Sequence, residues 1–341
     1  VGATRAGGLE VVIKLGIVGA GAVANLHVRS ARRIEGVELV GFFARDRGVR
    51  AIRSAEWSTK TFPSYTDLLN HPGIDAIIIT SHVDSHLDFA RQALLAGKHV
   101  LVEKPVDISG ERIRDIARLA RERGLLLFPG HNYAYLPEAR RLIETVRAGS
   151  IGAVRAVFVN YAVAHEENLA ARYGNVLDEV MVHHAYLTLA TLGVPTTITA
   201  GEMSPAWMSL DSSDQSWMTW AYHHSGGSTS AHLFATFAVD DLSDSPQTLS
   251  MKALGTLGSS AFTWRTTTGV SEGGPFSVGL LLYEETFVEQ MMAFRDAING
   301  TSWRVLSSID DAATVADLMQ IARAAVTTGS TIGVRLQLDT D

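Results

Sequence analysis

An apolar, β-rich run from Val11 to Val18 flows straight into Gly19-Ala20-Gly21-Ala22-Val23-Ala24, and a helical pattern (Ala24, Val28, Ala31, Ile34) follows at once. A strand that turns into a helix through two glycines has few ways to fold. The glycines permit a tight turn and let the backbone approach a pyrophosphate. The helix behind them offers free N–H groups and the positive end of its dipole. The turn therefore points to a dinucleotide, with Gly19, Gly21, Ala22, Val23 and Ala24 as its cradle. Small residues at strand-to-helix turns are common, so the rest of the chain must supply the context.

That context is a regular alternation. Leu39 to Phe43 reads as a strand, Tyr65 to Asn70 as a short helix and Ala76 to Thr80 as a strand. Ser85 to Ala96 is a helix closed by Gly97, 99–103 a strand, 110–123 a helix ended by Gly124, and Leu125 to Phe128 a strand. Strands alternating with helices at this spacing argue for a doubly wound parallel sheet. The rhythm fills residues 10–130, a natural first domain.

In such a sheet ligands bind beyond the carboxyl ends of the strands. Two strand ends carry a chemical signal. After Phe43, where an NAD-type site carries an acid for the ribose hydroxyls, the chain has Ala44 and Arg45. A missing anion and an added guanidinium favour a 2′-phosphate, so NADP(H) is expected over NAD(H). Asp46, one step on, is the competing ribose partner, and a solvated Arg45 is the plainer alternative. After Val100-Leu101-Val102 comes Glu103-Lys104-Pro105-Val106. Pro105 biases Lys104 towards an extended conformation, which aims its ammonium at the ligand crevice. A solvated lysine at a strand end is the plainer reading. His82 and His86 lie four apart at a strand-to-helix turn. A metal pair is conceivable, but hydrogen-bonding or cofactor-edge histidines fit better, and no metal is expected.

Composition removes other classes. The 341 residues are 46% hydrophobic and 19% charged, enough for two ordinary cores. The net charge of −7 comes without a basic block, which argues against nucleic acid. There is no cysteine, so there is no thiolate nucleophile and no Cys-based metal site; this fits a cytoplasmic protein. No apolar run reaches transmembrane length, and no membrane partner is expected. Residues 1–9, which begin with Val and lack a secretory pattern, are left out of the fold expectation.

The second half has a different texture. Pro137 to Gly149 reads as a crossover helix, and Val154 to Val163 as a strand. Ser216 to His224 and Thr229 to Ala238 form a hairpin around Ser225-Gly226-Gly227-Ser228. Leu249 to Leu254 and Ser260 to Thr266 are further strands. Long strands after a run of βα units predict an α+β domain over 131–341 with a mostly antiparallel sheet. Glu284 to Asn299 and Asp310 to Thr328 read as helices, with Ser307 and Asp310 as a capping pair. Residues 268–279 read as a loop. His223 and His224 fit a solvent-facing or interface position, and Trp207, Trp217 and Trp220 a sheet face or interface. A helix is expected from Leu177 to Gly193, with Glu179 and His183 one turn apart on one face. A carboxylate beneath an imidazole holds its tautomer and raises its basicity. A helix-start acid beside a partly buried histidine is the plainer account. Asp178 and His184 compete if the register shifts, and a metal site at Glu179, His183 and His184 is a further alternative.

The pieces together resemble the glucose–fructose oxidoreductase / inositol dehydrogenase / MocA family. They are Gly19-x-Gly21-x-x-Ala24, Asp75 to Thr80, His86, Ala93-x-x-Ala96-Gly97-Lys98-His99-Val100 and Glu103-Lys104-Pro105. Weaker matches follow at Gly149-x-Ile151-Gly152, Gly174 to Gly193 and Ser330-x-x-Gly333-Val334-x-Leu336. The resemblance implies an NAD(P)-dependent oxidoreductase acting on a sugar, cyclitol or sugar-derived alcohol or ketone. Thr80, His82, His86, Glu103 and Lys104 are expected at the cofactor's edge. Counting back from Gly193, His183 matches the family's catalytic histidine and Glu179 its acid one turn earlier. An acid often found three residues after that histidine is Tyr186 here. Lys104 would hold the substrate oxygen. Substrate contacts are expected from Lys104, Asn132, Tyr135, Asn160, His183 and His184, with His165 and Tyr173 as further polar candidates. The resemblance also implies a large open-faced second sheet that makes a homodimer or homotetramer. Two other classes stay open: an enzyme that retains its nicotinamide for epimerisation or glycoside elimination, and a non-catalytic dinucleotide-binding regulator.

Overall fold

The computed structural model describes residues 12–163, 175–203, 213–225, 227–237, 247–265, 275–301 and 305–336, with side chains omitted at 275–282. His165, Tyr173, Trp207 and most of the loop at 268–279 lie outside the described residues. The chain forms two compact units. The first runs to Val106 and adds Arg112–Gly130 and Phe287–Val305; the second holds Asp107–Glu111, His131–Thr286 and the chain from Leu306.

The first unit is built on five parallel strands, β1 (Ile13–Val18), β2 (Val37–Phe43), β3 (Ala76–Ile79), β4 (His99–Glu103) and β5 (Leu127–Gly130), in the order β2-β1-β3-β4-β5. Ile77, Ile78, Val100 and Leu101 are wholly buried, as strands covered on both faces require. The crossover helices are α1 (Ala22–Ala31), α2 (Arg47–Glu56), α3 (Tyr65–Leu69), α4 (His86–Leu95) and α5 (Gly110–Glu122). β5 starts two residues later than its apolar run suggests. The Leu125 N–H is spent on Ala120 O at 2.9 Å, closing α5 behind the left-handed Gly124. A late segment completes this unit. Phe287 packs edge-on to His27 at 5.1 Å, Phe294 meets Phe128 at 5.5 Å, and an Arg295 N–H donates to Glu35 O at 2.8 Å.

The second unit carries helix α6 (Pro137–Arg147) and strand β6 (Val154–Val163). Helices α7 (Val176–Glu179) and α8 (Met181–Leu192) follow, then strands β7 (Thr197–Met203), β8 (Gln215–His224), β9 (Gly227–Thr236), β10 (Gln247–Gly255) and β11 (Ser259–Arg265). Helix α9 (Pro275–Ile298) passes from this unit into the first, and α10 (Ile309–Thr328) and β12 (Ile332–Gly333) end the described chain. The sheet order is β11-β10-β6-β9-β8-β7-β12, antiparallel except for the parallel β6–β9 pair. The period of two is clean on β6: Val157, Val159 and Tyr161 point into the core, while Phe158 and Asn160 are exposed. Helices α6, α8 and α10 pack on this sheet. Trp220 is wholly buried, whereas Trp217 is on the exposed face; His223 and His224 are both exposed beside the hairpin turn.

Two local expectations shift. The capping box of α10 is Ser308 with Asp311, one residue beyond the expected pair. Ser307 is drawn away, its hydroxyl 2.6 Å from His131 Nδ1. The helix expected from Leu177 is broken at Val180, which sits at φ −109° between α7 and α8. Asn175 caps α7 by accepting from the Asp178 N–H at 2.7 Å, and Asp178 pairs with Arg323 on α10 at 2.7 Å. The first turn is thus anchored by its own contacts, and α8 starts afresh.

Candidate active site

The glycine turn is shaped as a cradle. Gly19 adopts φ +110°, and a Cβ there would lie 2.6 Å from the Thr80 carbonyl oxygen. Only glycine fits at that point. Its N–H donates to Phe43 O at 2.9 Å, while the Thr80 hydroxyl donates to Val18 O at 2.9 Å. The loops after β1, β2 and β3 are thereby tied together. Gly21 is the N-cap of α1, and a Cβ there would meet nothing within 4 Å. The first turn of α1, starting at Ala22, Val23 and Ala24, has no side-chain cap and no acid. Beside the turn that leads into this helix opens a cleft of about 390 Å³ lined by Gly19, Gly21, Ala44, Arg45, Thr80 and His82 among others. These features fit a dinucleotide pyrophosphate. Replacing Gly19 with Ala should cost about 1–3 kcal/mol of backbone strain alone and lower dinucleotide affinity. Thermal unfolding and a fluorescence titration of the variant measure both, and an unchanged affinity would contradict the cradle.

At the β2 end, Asp46 Oδ1 accepts from the Val49 N–H at 2.8 Å as the N-cap of α2. One of its two oxygens thus serves the helix. Arg45 is exposed on the cleft wall, and Arg50 lies beside it, donating to the Ala44 and Arg45 carbonyls at 2.5 and 3.2 Å.

At the β4 end, Glu103 is buried, with Oε1 2.7 Å from His27 Nε2 and Oε2 accepting from the Lys104 N–H at 3.1 Å. A Cβ on Gly130 would come within 2.9 Å of Glu103, so β5 is shaped to admit this carboxylate. Lys104 is half-buried and precedes Pro105 through a cis peptide. His86 is buried, its Nδ1 3.0 Å from Pro105 O and its Nε2 2.9 Å from Ser81 O. It stitches the loops after β3 and β4, and burial lowers its pKa. His82 is exposed, with Nδ1 3.3 Å from Asp84.

In the second unit His183 is 5% exposed, and its Nδ1 lies 2.8 Å from the Tyr186 hydroxyl. That hydroxyl accepts from the Tyr133 N–H at 3.1 Å. The Tyr186 ring stacks on His131 at 4.2 Å, and the Tyr133 ring meets His183 edge-on at 4.9 Å. The Tyr133 hydroxyl accepts from Gln247 at 2.9 Å, and burial raises its pKa well above the usual value. Tyr186, His131 and Gln247 carry no site signal in the sequence beyond their positions. The i,i+3 spacing of His183 and Tyr186 was the available signal, obscured because an acid was the expected partner. Glu179 is half-buried in α7, across the Val180 break from His183.

Four expected substrate contacts are placed by the fold in the core or on the outer sheet face. His184 is wholly buried in the core, with Nε2 3.0 Å from Phe234 O and Nδ1 3.3 Å from Val180 O. Burial pushes its pKa down to about 4. Tyr135 is equally buried, its hydroxyl donating to Ser307 O at 3.4 Å. Asn160 is exposed on the sheet face opposite Tyr161, whereas Tyr161 faces the same side as the His184 ring, 6.4 Å away. Period-two alternation therefore separates Asn160 from α8. Asn132 is buried, and its amide donates to the Thr286 hydroxyl at 2.7 Å.

A parallel sheet with a glycine cradle at a strand end defines a dinucleotide-binding protein of the Rossmann class. Residues 13–131 match a family model described as the oxidoreductase family with an NAD-binding Rossmann fold. Residues 13–131 are thus similar to the NAD-binding part of the glucose–fructose oxidoreductase / inositol dehydrogenase / MocA family. It is 28% identical over 214 residues to UDP-N-acetylglucosamine 3-dehydrogenase of Acidithiobacillus ferrooxidans, covering 58% of this chain and 64% of that one. It is 28% identical over 162 residues to dTDP-3,4-didehydro-2,6-dideoxy-alpha-D-glucose 3-reductase of Actinomadura kijaniata, covering 47% and 49%. The chain spans about half the length of the curated relatives it matches. The fold is shared with GenD2 from gentamicin A biosynthesis, solved in complex with NAD, at a TM-score of 0.82 and 19% identity over 98% of this chain and 100% of that one. Among the described residues no helix is long and apolar enough to cross a membrane.

Proposed function

We propose that the protein is an NAD(P)-dependent oxidoreductase that moves hydride between a nicotinamide and a sugar, cyclitol or sugar-derived alcohol or ketone. The observation that carries the reading is the open cradle at Gly19 and Gly21 above an uncapped helix start. A nicotinamide held by this unit supplies the carbon that accepts or returns hydride. The chain's own groups handle the oxygen and its proton. The Lys104 ammonium stabilises negative charge developing on the substrate oxygen. His183 removes the hydroxyl proton in oxidation and returns it in reduction. Glu179 supports the charged imidazole from the preceding turn. Names of the matched relatives, a 3-dehydrogenase and a 3-reductase of nucleotide-linked sugars, support a carbohydrate-like substrate. A panel of sugars, cyclitols and nucleotide sugars read at the nicotinamide absorbance tests this; no turnover on any of them would overturn it.

NADP(H) is the preferred cofactor in this reading. Asp46 gives one oxygen to capping α2, Ala44 offers no carboxylate, and Arg45 stands exposed on the cleft wall. A charge-assisted contact of this kind contributes about 1.5–3 kcal/mol, or roughly 10–100-fold in affinity. Arg45→Asp should therefore weaken NADPH binding by that factor and leave NADH binding within a few-fold. Equal affinity of the unsubstituted protein for both cofactors would contradict the preference. We also assign the protein to the cytoplasm, as a homodimer or homotetramer joined through the outer face of the second sheet. Phe158, stacked on His232 at 5.2 Å, and Trp217 are exposed there. Light scattering that gives a monomer mass at micromolar concentration would refute the assembly.

A further inference from the structure

We infer that Tyr186 is the positioning residue for His183, holding the ring by Nδ1 so that Nε2 is the nitrogen that exchanges the proton with substrate. The inference rests on the reading of His183 as the acid–base group. Four observations carry it. The Tyr186 hydroxyl is 2.8 Å from His183 Nδ1. The same hydroxyl is fixed from its other side by the Tyr133 N–H at 3.1 Å. The Tyr186 ring is clamped by stacking on His131, whose own Nδ1 lies 2.6 Å from the Ser307 hydroxyl. The Tyr133 ring meets the imidazole edge-on at 4.9 Å, which restrains its rotation.

Proton counting gives the hydroxyl its role. A backbone N–H can only donate, so the phenolic oxygen accepts from Tyr133. Only the Nδ1–H form of neutral imidazole leaves Nε2 with a lone pair to receive a proton. The imidazolium also carries a proton on Nδ1. In both working states the Tyr186 oxygen therefore accepts a second hydrogen bond, from His183. A carboxylate in that place would do the same and add a charge. The phenol orients the ring without that Coulombic pull, so it leaves the imidazolium less stabilised than an acid would. Among the described residues, the titratable groups with a recorded contact to the ring are Tyr186 and Tyr133, with His131 behind Tyr186 and Glu179 four residues earlier.

The test reads His183 directly. Protein labelled with ¹⁵N at histidine is titrated by NMR without cofactor, and His183→Ala identifies the signal. Tyr186→Phe keeps the stacked ring and removes the acceptor. Its His183 pKa should fall by about one unit, in line with losing a hydrogen bond to a charged group. Tyr186→Asp should raise it by about 1–3 units. In turnover, Tyr186→Phe should lose at least about 10-fold in kcat with KM little changed. An unchanged or raised pKa in Tyr186→Phe overturns the inference, as does an unmoved pKa in Tyr186→Asp. Full loss of turnover in His183→Ala, with parent turnover in Tyr186→Phe, sinks the positioning role alone. Retained turnover in His183→Ala sinks the reading of His183 itself, whatever the titration gives.

Discussion

Lys104→Ala and His183→Ala should each lower kcat by about 10²–10⁴-fold, the usual effect of removing an acid–base or charge-stabilising group. The two losses should differ in kind. Without the Lys104 ammonium, the charge on the substrate oxygen is unstabilised at every pH, so the rate falls across the whole profile. Without His183 the proton has no carrier, and the limb of the profile that reports its titration disappears. Cofactor affinity should persist in both, because the glycine cradle at Gly19 and Gly21 is untouched. Pre-steady-state hydride transfer separates these effects from product release. Parent rates in both variants would remove the assignment.

The second large effect is on stability in acid. His184 is wholly buried, and its pKa in the fold is about 4. In the unfolded chain an imidazole titrates near 6.5. The folded value is the lower one, so the unfolded state takes up the proton first as pH falls. Stability is fully present above about pH 6.5 and drains away through the window down to about pH 4. Below that the group contributes no further slope. A difference of this size corresponds to about 3 kcal/mol. Burial lowers the pKa of His86 and His99 as well, which adds slope of the same sign. Urea denaturation at several pH values should show the loss, and His184→Gln should flatten part of it. An identical slope in that variant would show that His184 does not carry the effect.

Much of the first unit was legible because its signals are local. The Gly19 turn and the placement of Lys104 at the end of β4 each depend on a few adjacent residues. Other features depend on distant partners. The turn before the break at Val180 is tied down by Asp178 pairing with Arg323, a contact across 145 residues. Asn132, Tyr135 and His184 are polar side chains that read from sequence as substrate contacts. The fold instead gives them partners at Thr286, Ser307 and Phe234. Asn160 was misdirected by one step of strand alternation, which flips a side chain to the other face. Tyr186 was visible as a departure from the family pattern, but its hydrogen bond to His183 requires the α8 geometry.

The late segment that completes the first unit has a consequence for biosynthesis. When a ribosome has released residues up to Gly130, all five parallel strands are in hand, yet Phe287 and Phe294 are still unmade. His27 and Phe128, which those rings cover, must wait for the intervening second unit to be translated. The nascent first unit would therefore present apolar surface to the cell throughout that interval, a natural point for chaperone capture. A fragment ending near residue 130 should bind hydrophobic dyes and aggregate more readily than the full chain.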